Sequence, residues 1–436
     1  MRIAQVSLQF EATATGGGGV HVQRVTQHLV EMGHRVTVLS IHTAKTLGSA
    51  RLEEGLRPYS LEDRGPLQVV RFLVDPDIAQ PYEGDKGTEI RRIREFCEAA
   101  AWWLLQRPRD FDVVHLHGHH LIPGYLAWRL RGGGFKVVST VHFLESTLVE
   151  TRREGVSHFD VPERALAQMR RWEAMSRYAD AVVVISPGMR EELFEIARGL
   201  GLDPAAFKVR VIPSGAVNEG SLLSPAGVRR KLARLPNPVE MVTFCRLDPS
   251  KGVEFAIRGA ALAARRSARS LRLTVAGIPS GSYLDLLREE AERASEALPV
   301  DIRTFEAIFT DRERNEFLDG FCLYLFPTLS EPFGMTLIEA AARGLIAVAT
   351  DAAGPRYILG GERALETPWG YITDYGLCAR REPLEQLAHN LSQALAWALN
   401  HWKESVARAL ALRDRVEREF TWRRVAQRYL ELYEGD

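Results

Sequence analysis

Short apolar runs recur along the chain, each followed by a stretch whose apolar positions are spaced by three and four residues. The first run covers Ile3–Phe10. It passes through Gly16–Gly19 into a segment with Val22, Val25, Leu29 and Met32 on one face, which predicts a helix. Gly33 suits the stop of that helix, and the run RVTVLSI follows at once. Strand, glycine loop, helix and strand in this order form a β-α-β unit, which implies parallel pairing and a right-handed crossover. The runs DVVHLH (112–117), KVVSTVH (136–142), AVVVIS (181–186) and KVRVIP (208–213) extend the series.

A polar, glycine-bearing segment, Ser214–Ser221, interrupts this pattern, and a second series follows: VEMVTFC (239–245), LRLTVAG (271–277), VDIRTF (300–305), LYLFP (323–327) and IAVAT (346–350). Helices over Val253–Arg265 and Tyr283–Ala297 separate some of them. Two consecutive series predict an α/β protein of two Rossmann-like, doubly wound parallel-sheet domains, residues 1–215 and 216–419. A single (β/α)₈ barrel is the structural rival, although it needs no break half-way. The tail FTWRRVAQRYLELY places Trp422, Val425, Tyr429 and Leu432 on one face and predicts an amphipathic helix within 420–436.

Composition narrows the class. The 436 residues carry as many acidic as basic groups, so the net charge is zero, and a nucleic-acid partner is disfavoured. Arg91-Arg92 and Arg229-Arg230-Lys231 read as solvated helix faces. Cys97, Cys245, Cys322 and Cys378 lie far apart, which suits a reducing cytoplasm better than a disulfide framework. The chain opens on a strand-like run without a signal peptide, and no apolar stretch is long enough to insert in a bilayer.

Four segments could carry chemistry. In Ser330–Ala340 a Pro-Phe-Gly break precedes a helix, whose first amides can face an anion. Glu331 lies before that helix and Glu339 about two turns inside it, so the two carboxylates can reach different parts of one ligand. Arg246 and Lys251, five residues apart on a strand-end loop, can straddle a diphosphate; only 7 of the 56 basic residues are lysine, which sets Lys251-Gly252 apart from background. Gly16–Gly19 lets the backbone approach a ligand without a Cβ in the way. His142 ends a strand, where a parallel sheet places ligand-facing residues. Each segment taken alone also reads as ordinary surface or loop. His115, His117, His119 and His120 invite a metal, but no Asp or Glu stands beside them as a further ligand, and no metal is expected. Asp75-Pro76-Asp77 reads as a turn.

Together these segments resemble glycosyltransferase family 4, a retaining group with the GT-B fold, along nearly the whole chain. The glycine loop, DVVHLH, the TVH strand end, VIPSG, Arg246-Leu247 with Lys251-Gly252, and EPFGMTLIE with its two glutamates all match, as does the terminal helix. The resemblance implies two domains facing across a cleft, with helix 420–436 completing the first. It implies a hexosyl transfer from a nucleotide sugar, UDP-glucose by default, to a hydroxyl of a small sugar-like acceptor. It gives the catalytic roles to His142, Glu331, Arg246 and Lys251. Donor binding falls to Gly18, Gly19, Arg246, Lys251, Glu331, Phe333, Gly334, Met335, Thr336, Leu337 and Glu339. Within that set Arg246 and Lys251 hold the diphosphate, Glu339 the ribose, and Glu331 with His142 the sugar. No cofactor is implied beyond the nucleotide-sugar co-substrate. An epimerase of the same architecture and a non-catalytic nucleotide-binding homologue are the alternatives.

Two departures stand out. Glu306 occupies a place where the family often has glycine, and DAAGPRYIL replaces a common Gly-Gly-x-x-Glu stretch. Residues Ala44–Lys86 and Thr147–Pro162 are expected to shape the acceptor side.

Overall fold

The computed structural model of the chain describes residues 1–14, 16–48, 50–118, 120–147, 163–305, 309–360 and 364–435. His119, Glu306 and all but the first residue of Thr147–Pro162 lie outside them. The described residues divide into two compact units. One runs up to Ser214 and resumes at Trp422; the other is Gly215–Thr421.

The first unit is built on eight strands: β1 (Arg2–Val6), β2 (Arg35–Ile41), β3 (Tyr59–Arg64), β4 (Leu67–Phe72), β5 (Val113–Gly118), β6 (Lys136–Val141), β7 (Ala181–Val184) and β8 (Val209–Val211). Their order is β3-β4-β2-β1-β5-β6-β7-β8, parallel throughout except for β3. Helices cover both faces, so the central strands are buried on both sides and read as unbroken apolar runs. Ser186, read as the end of a strand, instead caps the helix Pro187–Gly199 by accepting a bond from the Met189 amide at 3.3 Å.

The second unit repeats the plan with β9 (Val239–Phe244), β10 (Leu271–Gly277), β11 (Val300–Thr304), β12 (Leu323–Phe326), β13 (Ile346–Thr350), β14 (Leu365–Thr367), β15 (Gly370–Ile372) and β16 (Leu377–Ala379). The order is β11-β10-β9-β12-β13-β16-β15-β14, with β15 antiparallel to both of its neighbours. Two open sheets replace the barrel alternative.

The stretch Ala44–Lys86 holds the β3-β4 hairpin. Two expectations change. Arg92 is no solvated residue. It is 4% exposed and its guanidinium pairs with Asp75 at 2.8 Å. Lys231 is likewise drawn in, donating to the Leu318 and Arg343 carbonyls at 3.3 and 3.2 Å, and burial lowers its ammonium to about 8. All four cysteines are free and buried. No helix among the described residues is long and apolar enough to cross a membrane.

Candidate functional site

In the second sheet the strand order turns back between β9 and β12, which pair in parallel. Ligands of open α/β sheets bind beyond the carboxyl ends of strands at such a switch. The loop after β9 carries Arg246 and Lys251, and the loop after β12 carries Glu331. Asp248 shapes the first loop by accepting from the Ser250 amide at 3.0 Å. Gly252 ends it with φ +57°, and a Cβ there would lie 2.6 Å from the Pro327 carbonyl. Glycine is therefore what lets the two loops touch. The Leu329 amide then donates to Ser250 O at 2.8 Å, and the Thr328 hydroxyl donates to the same carbonyl at 3.3 Å.

Across this seam Lys251 Nζ donates to Glu331 Oε2 at 2.7 Å, both side chains being largely buried. An ammonium carries three donors, so this pair leaves donor capacity for a further anion. Arg246 differs: its side chain is 62% exposed and lies 3.3 Å from Asp248 Oδ2.

Gly334 starts the following helix, Met335–Ala342, at φ +113°; a Cβ would press on Phe326 at 3.1 Å. Tyr324 Oη lies 2.7 Å from Phe244 O and 2.8 Å from Thr336 Oγ1. A carbonyl can only accept, so Tyr324 donates to it and the Thr336 hydroxyl donates to Tyr324. That leaves the amide as the donor Thr336 can offer a ligand. Phe333 packs on Phe420 with ring centres 5.9 Å apart, and its amide lies 3.4 Å from Glu331 Oε1. Leu337 is fully buried with its amide on Gly334 O at 3.1 Å. Both side chains belong to the core. Glu339 is buried and paired with Arg314 at 3.2 Å; burial pushes its carboxyl up to about 7.

In the first unit the strand order turns back between β1 and β5. The glycine run is the start of the helix Gly17–Glu31 rather than a loop ahead of it, with Gly16 as an extended cap. A Cβ on Gly19 would lie 2.8 Å from Gln9 Oε1, so packing explains that glycine. Gly18 has more room, its nearest neighbour being the His142 ring at 3.9 Å.

His142 follows β6 and joins a group of buried rings. Its centre is 4.8 Å from that of His21 and 5.6 Å from that of His117. His115 lies 3.8 Å from His117 and bonds Thr140 Oγ1 at 2.7 Å and Tyr433 Oη at 2.5 Å. Burial holds His21, His115 and His117 well below the usual imidazole range, so all three are neutral. His21, His117 and His142 each offer a nitrogen within 4.8 Å of the others. Both nitrogens of His21 are engaged, however, by Ser214 at 2.9 Å and Tyr429 at 3.3 Å, and His117 Nε2 bonds Gln5. Hydrogen bonds thus hold both nitrogens of His21 and Nε2 of His117, while His117 Nδ1 has no partner among the described residues.

The fold also supplies the carboxylates that the sequence did not place beside the histidines. His120 Nε2 lies 2.6 Å from Glu145, and Glu89 stands with them. Lys86 already bridges both carboxylates, at 2.9 Å from Glu89.

Three structural contributors carry no motif. Arg314 meets Glu339 from another helix. Arg381 donates to the Leu329 carbonyl. Gly354, within DAAGPRYIL, donates its amide to Glu331 O at 2.9 Å; a Cβ there would sit 2.1 Å from Phe333 O. A carbonyl acceptor and a glycine under a backbone are visible only once the fold is known.

A model of the family described as "Family 4 Glycosyltransferase in conflict systems" matches residues 90–429. The chain belongs to this family. The glycosyltransferase is similar to the D-inositol 3-phosphate glycosyltransferase of Rhodococcus jostii, with 27% identity over 364 residues, 81% of this chain and 75% of the relative. It is similar to the glycogen synthase of Mycobacterium tuberculosis, with 25% identity over 99% of this chain and 94% of the relative. Among solved structures, sucrose-phosphate synthase from Thermosynechococcus elongatus superposes with a TM-score of 0.70, 20% identity, and coverage of 99% and 98%. The two-sheet architecture of this glycosyltransferase is thus the GT-B fold.

Proposed function

We propose that this protein is a retaining glycosyltransferase that moves a hexosyl group from a nucleoside diphosphate sugar to a hydroxyl of a small, sugar-like acceptor. The observation that carries this reading is the seam in the second unit. It joins a lysine, an arginine loop, a carboxylate and a helix start at the switch point of one sheet. As the anomeric bond breaks, negative charge grows on the departing diphosphate, and fixed positive groups beside it are the main source of acceleration. Lys251, Arg246 and the first amides of the helix Met335–Ala342 supply that charge without a metal. Glu331, tied to Lys251, positions the sugar; a diphosphate oxygen takes the acceptor proton on the same face. As part of this proposal, His142 keeps the sugar contact that the family resemblance gives it, and Gly18 and Gly19 keep their places against the phosphates and the acceptor. UDP-glucose is the default donor. The inositol phosphate named as the substrate of the Rhodococcus relative supports a small polyol-like acceptor.

The test is nucleotide release from UDP-, ADP-, GDP- and TDP-glucose, each with and without a panel of sugar and polyol acceptors. Acceptor-dependent release with retained anomeric configuration is expected. Conversion of the donor without an acceptor would point to epimerisation, and no turnover of any donor would remove the reading.

A further inference from the structure

One carboxylate of the candidate site is held by a residue that no motif contains. Glu339, in the helix Met335–Ala342, receives Arg314 Nη1 on Oε1 at 3.2 Å. The side-chain hydrogen bonds of Glu339 with described residues run through Oε1 alone. The same Arg314 nitrogen bonds Asp311 Oδ1 at 3.1 Å, one turn away on the helix Asp311–Asp319. Asp311 Oδ2 in turn accepts from Asn218 Nδ2 at 3.0 Å. Asn218, Asp311, Arg314 and Glu339 therefore form one relay that ends on the carboxylate.

Arg314 is 7% exposed, and its Nε has no partner among the described residues. Burying a guanidinium with a donor left over is unfavourable, and pairing with Asp311 alone could be achieved nearer the surface. What the buried position adds is a fixed grip on Glu339.

We propose that Arg314 is the positioning residue for the nucleotide ribose: it anchors Glu339 through Oε1 and so leaves Oε2 for the ribose hydroxyls. This rests on the donor reading above. A carboxylate binds two hydroxyls as an acceptor only when ionised. Burial pushes Glu339 up towards neutrality, Arg314 opposes that rise and Asp311 adds to it. Tyr324 of β12 also feels the Glu339 charge, and burial raises its hydroxyl well above the ordinary range, so it stays neutral. The balance at neutral pH thus falls to Arg314 and Asp311, which act in opposite directions.

The full chain is titrated with UDP, ADP, GDP and TDP, and then with the 2′-deoxy counterpart of the ribonucleotide that binds most tightly, between pH 6 and 9. The wild type is expected to prefer the ribonucleotide and to lose that preference as pH falls below neutrality. Arg314→Gln is expected to weaken the ribonucleotide about tenfold or more at pH 7, the scale of a hydrogen bond to a charged group. It should leave the deoxynucleotide nearly unchanged and move the pH midpoint upward. Arg314→Lys should recover part of the preference. Asp311→Asn should move the midpoint downward, and it serves if Arg314→Gln does not fold. A fold support without a positioning role would change melting temperature and leave preference and midpoint alone. If Glu339→Gln also leaves the preference intact, or if no nucleotide binds, the donor reading itself fails. If Glu339→Gln abolishes the preference while the Arg314 and Asp311 variants keep the wild-type midpoint, the inference about Arg314 is overturned.

Discussion

Arg246 and Lys251 share a loop but not an environment, and their variants should separate catalysis from stability. Removing one preorganised positive group from a developing oxyanion lowers turnover by roughly two orders of magnitude or more. Both Arg246→Ala and Lys251→Ala are therefore expected to lower turnover to that extent. Arg246 is exposed, so its variant should melt with the wild type. Lys251→Ala strands the largely buried Glu331, and an unpartnered buried acceptor costs about 1–3 kcal/mol. A lowered melting temperature is expected there alone. Turnover assays and thermal melts on both variants check this; wild-type turnover in either would take that residue out of the mechanism. At this scale the sequence was informative where a residue type is rare in its setting, as with Lys251-Gly252. It was silent on Arg314, because Asp-Arg-Glu-Arg reads like any charged helix face. Only the fold, which brings Glu339 from 25 positions later against it, shows that arginine to be buried.

Elements were legible in proportion to their burial. The central strands announce themselves as apolar runs because helices cover both faces of the sheet. The edge strand β3 faces solvent along most of its length and carries Glu62, Asp63 and Arg64, so no run marks it. Strands β14 to β16 have three residues each, too few for a period to show. The departure DAAGPRYIL gains its explanation here: the helix Ala353–Leu359 approaches the signature loop so closely that only glycine fits at 354. Gly354→Ala is expected to destabilise the second unit by about 1–3 kcal/mol, as overpacking does, and to lower turnover by shifting Glu331. Denaturation midpoints and turnover together test this; an unchanged midpoint would mean that the contact is slack.

A second element, the helix Glu163–Ala174, docks through a buried acid. Glu173 accepts from the Ser146 amide at 3.1 Å and from its hydroxyl, and burial raises its carboxyl to about 7. A carboxyl raised on folding stabilises the native state only while protonated, so its contribution is full below pH ~4.5 and is lost as pH rises through about 7. The loss is at most about 3 kcal/mol at 1.36 kcal/mol per pKa unit. Glu173→Gln keeps the shape and removes the titration. Its melting temperature should equal that of the wild type near pH 4 and exceed it increasingly up to about pH 7; a constant difference between pH 4 and 7 would contradict the assignment.

At the scale of the molecule, the chain leaves its first unit at Ser214 and returns to it at Trp422. The returning helix Trp422–Glu434 buries Trp422, Val425, Tyr429 and Leu432, worth roughly 1.5–3 kcal/mol each as an upper bound. It also completes the polar interior. Tyr433 bonds His115, Tyr429 bonds His21, and Lys136 donates to the Leu432 carbonyl at 2.5 Å. Four such side chains sum to the scale of a whole domain's stability, roughly 5–15 kcal/mol. Without them, neutral histidines packed ring to ring would lose hydrogen-bond partners and face water that cannot be accommodated in place. A chain ending at Thr421 is therefore expected to keep the cooperative melt of the second unit, which is continuous in sequence, and to lose that of the first. Calorimetry of the shortened chain should show one transition with reduced enthalpy, and amide exchange should show β5 and β6 unprotected while β9 and β12 stay protected. A peptide of residues 422–436 added in trans should restore protection to β5 and β6. Protection of those strands in the shortened chain without the peptide would show that the first unit is complete by Ser214.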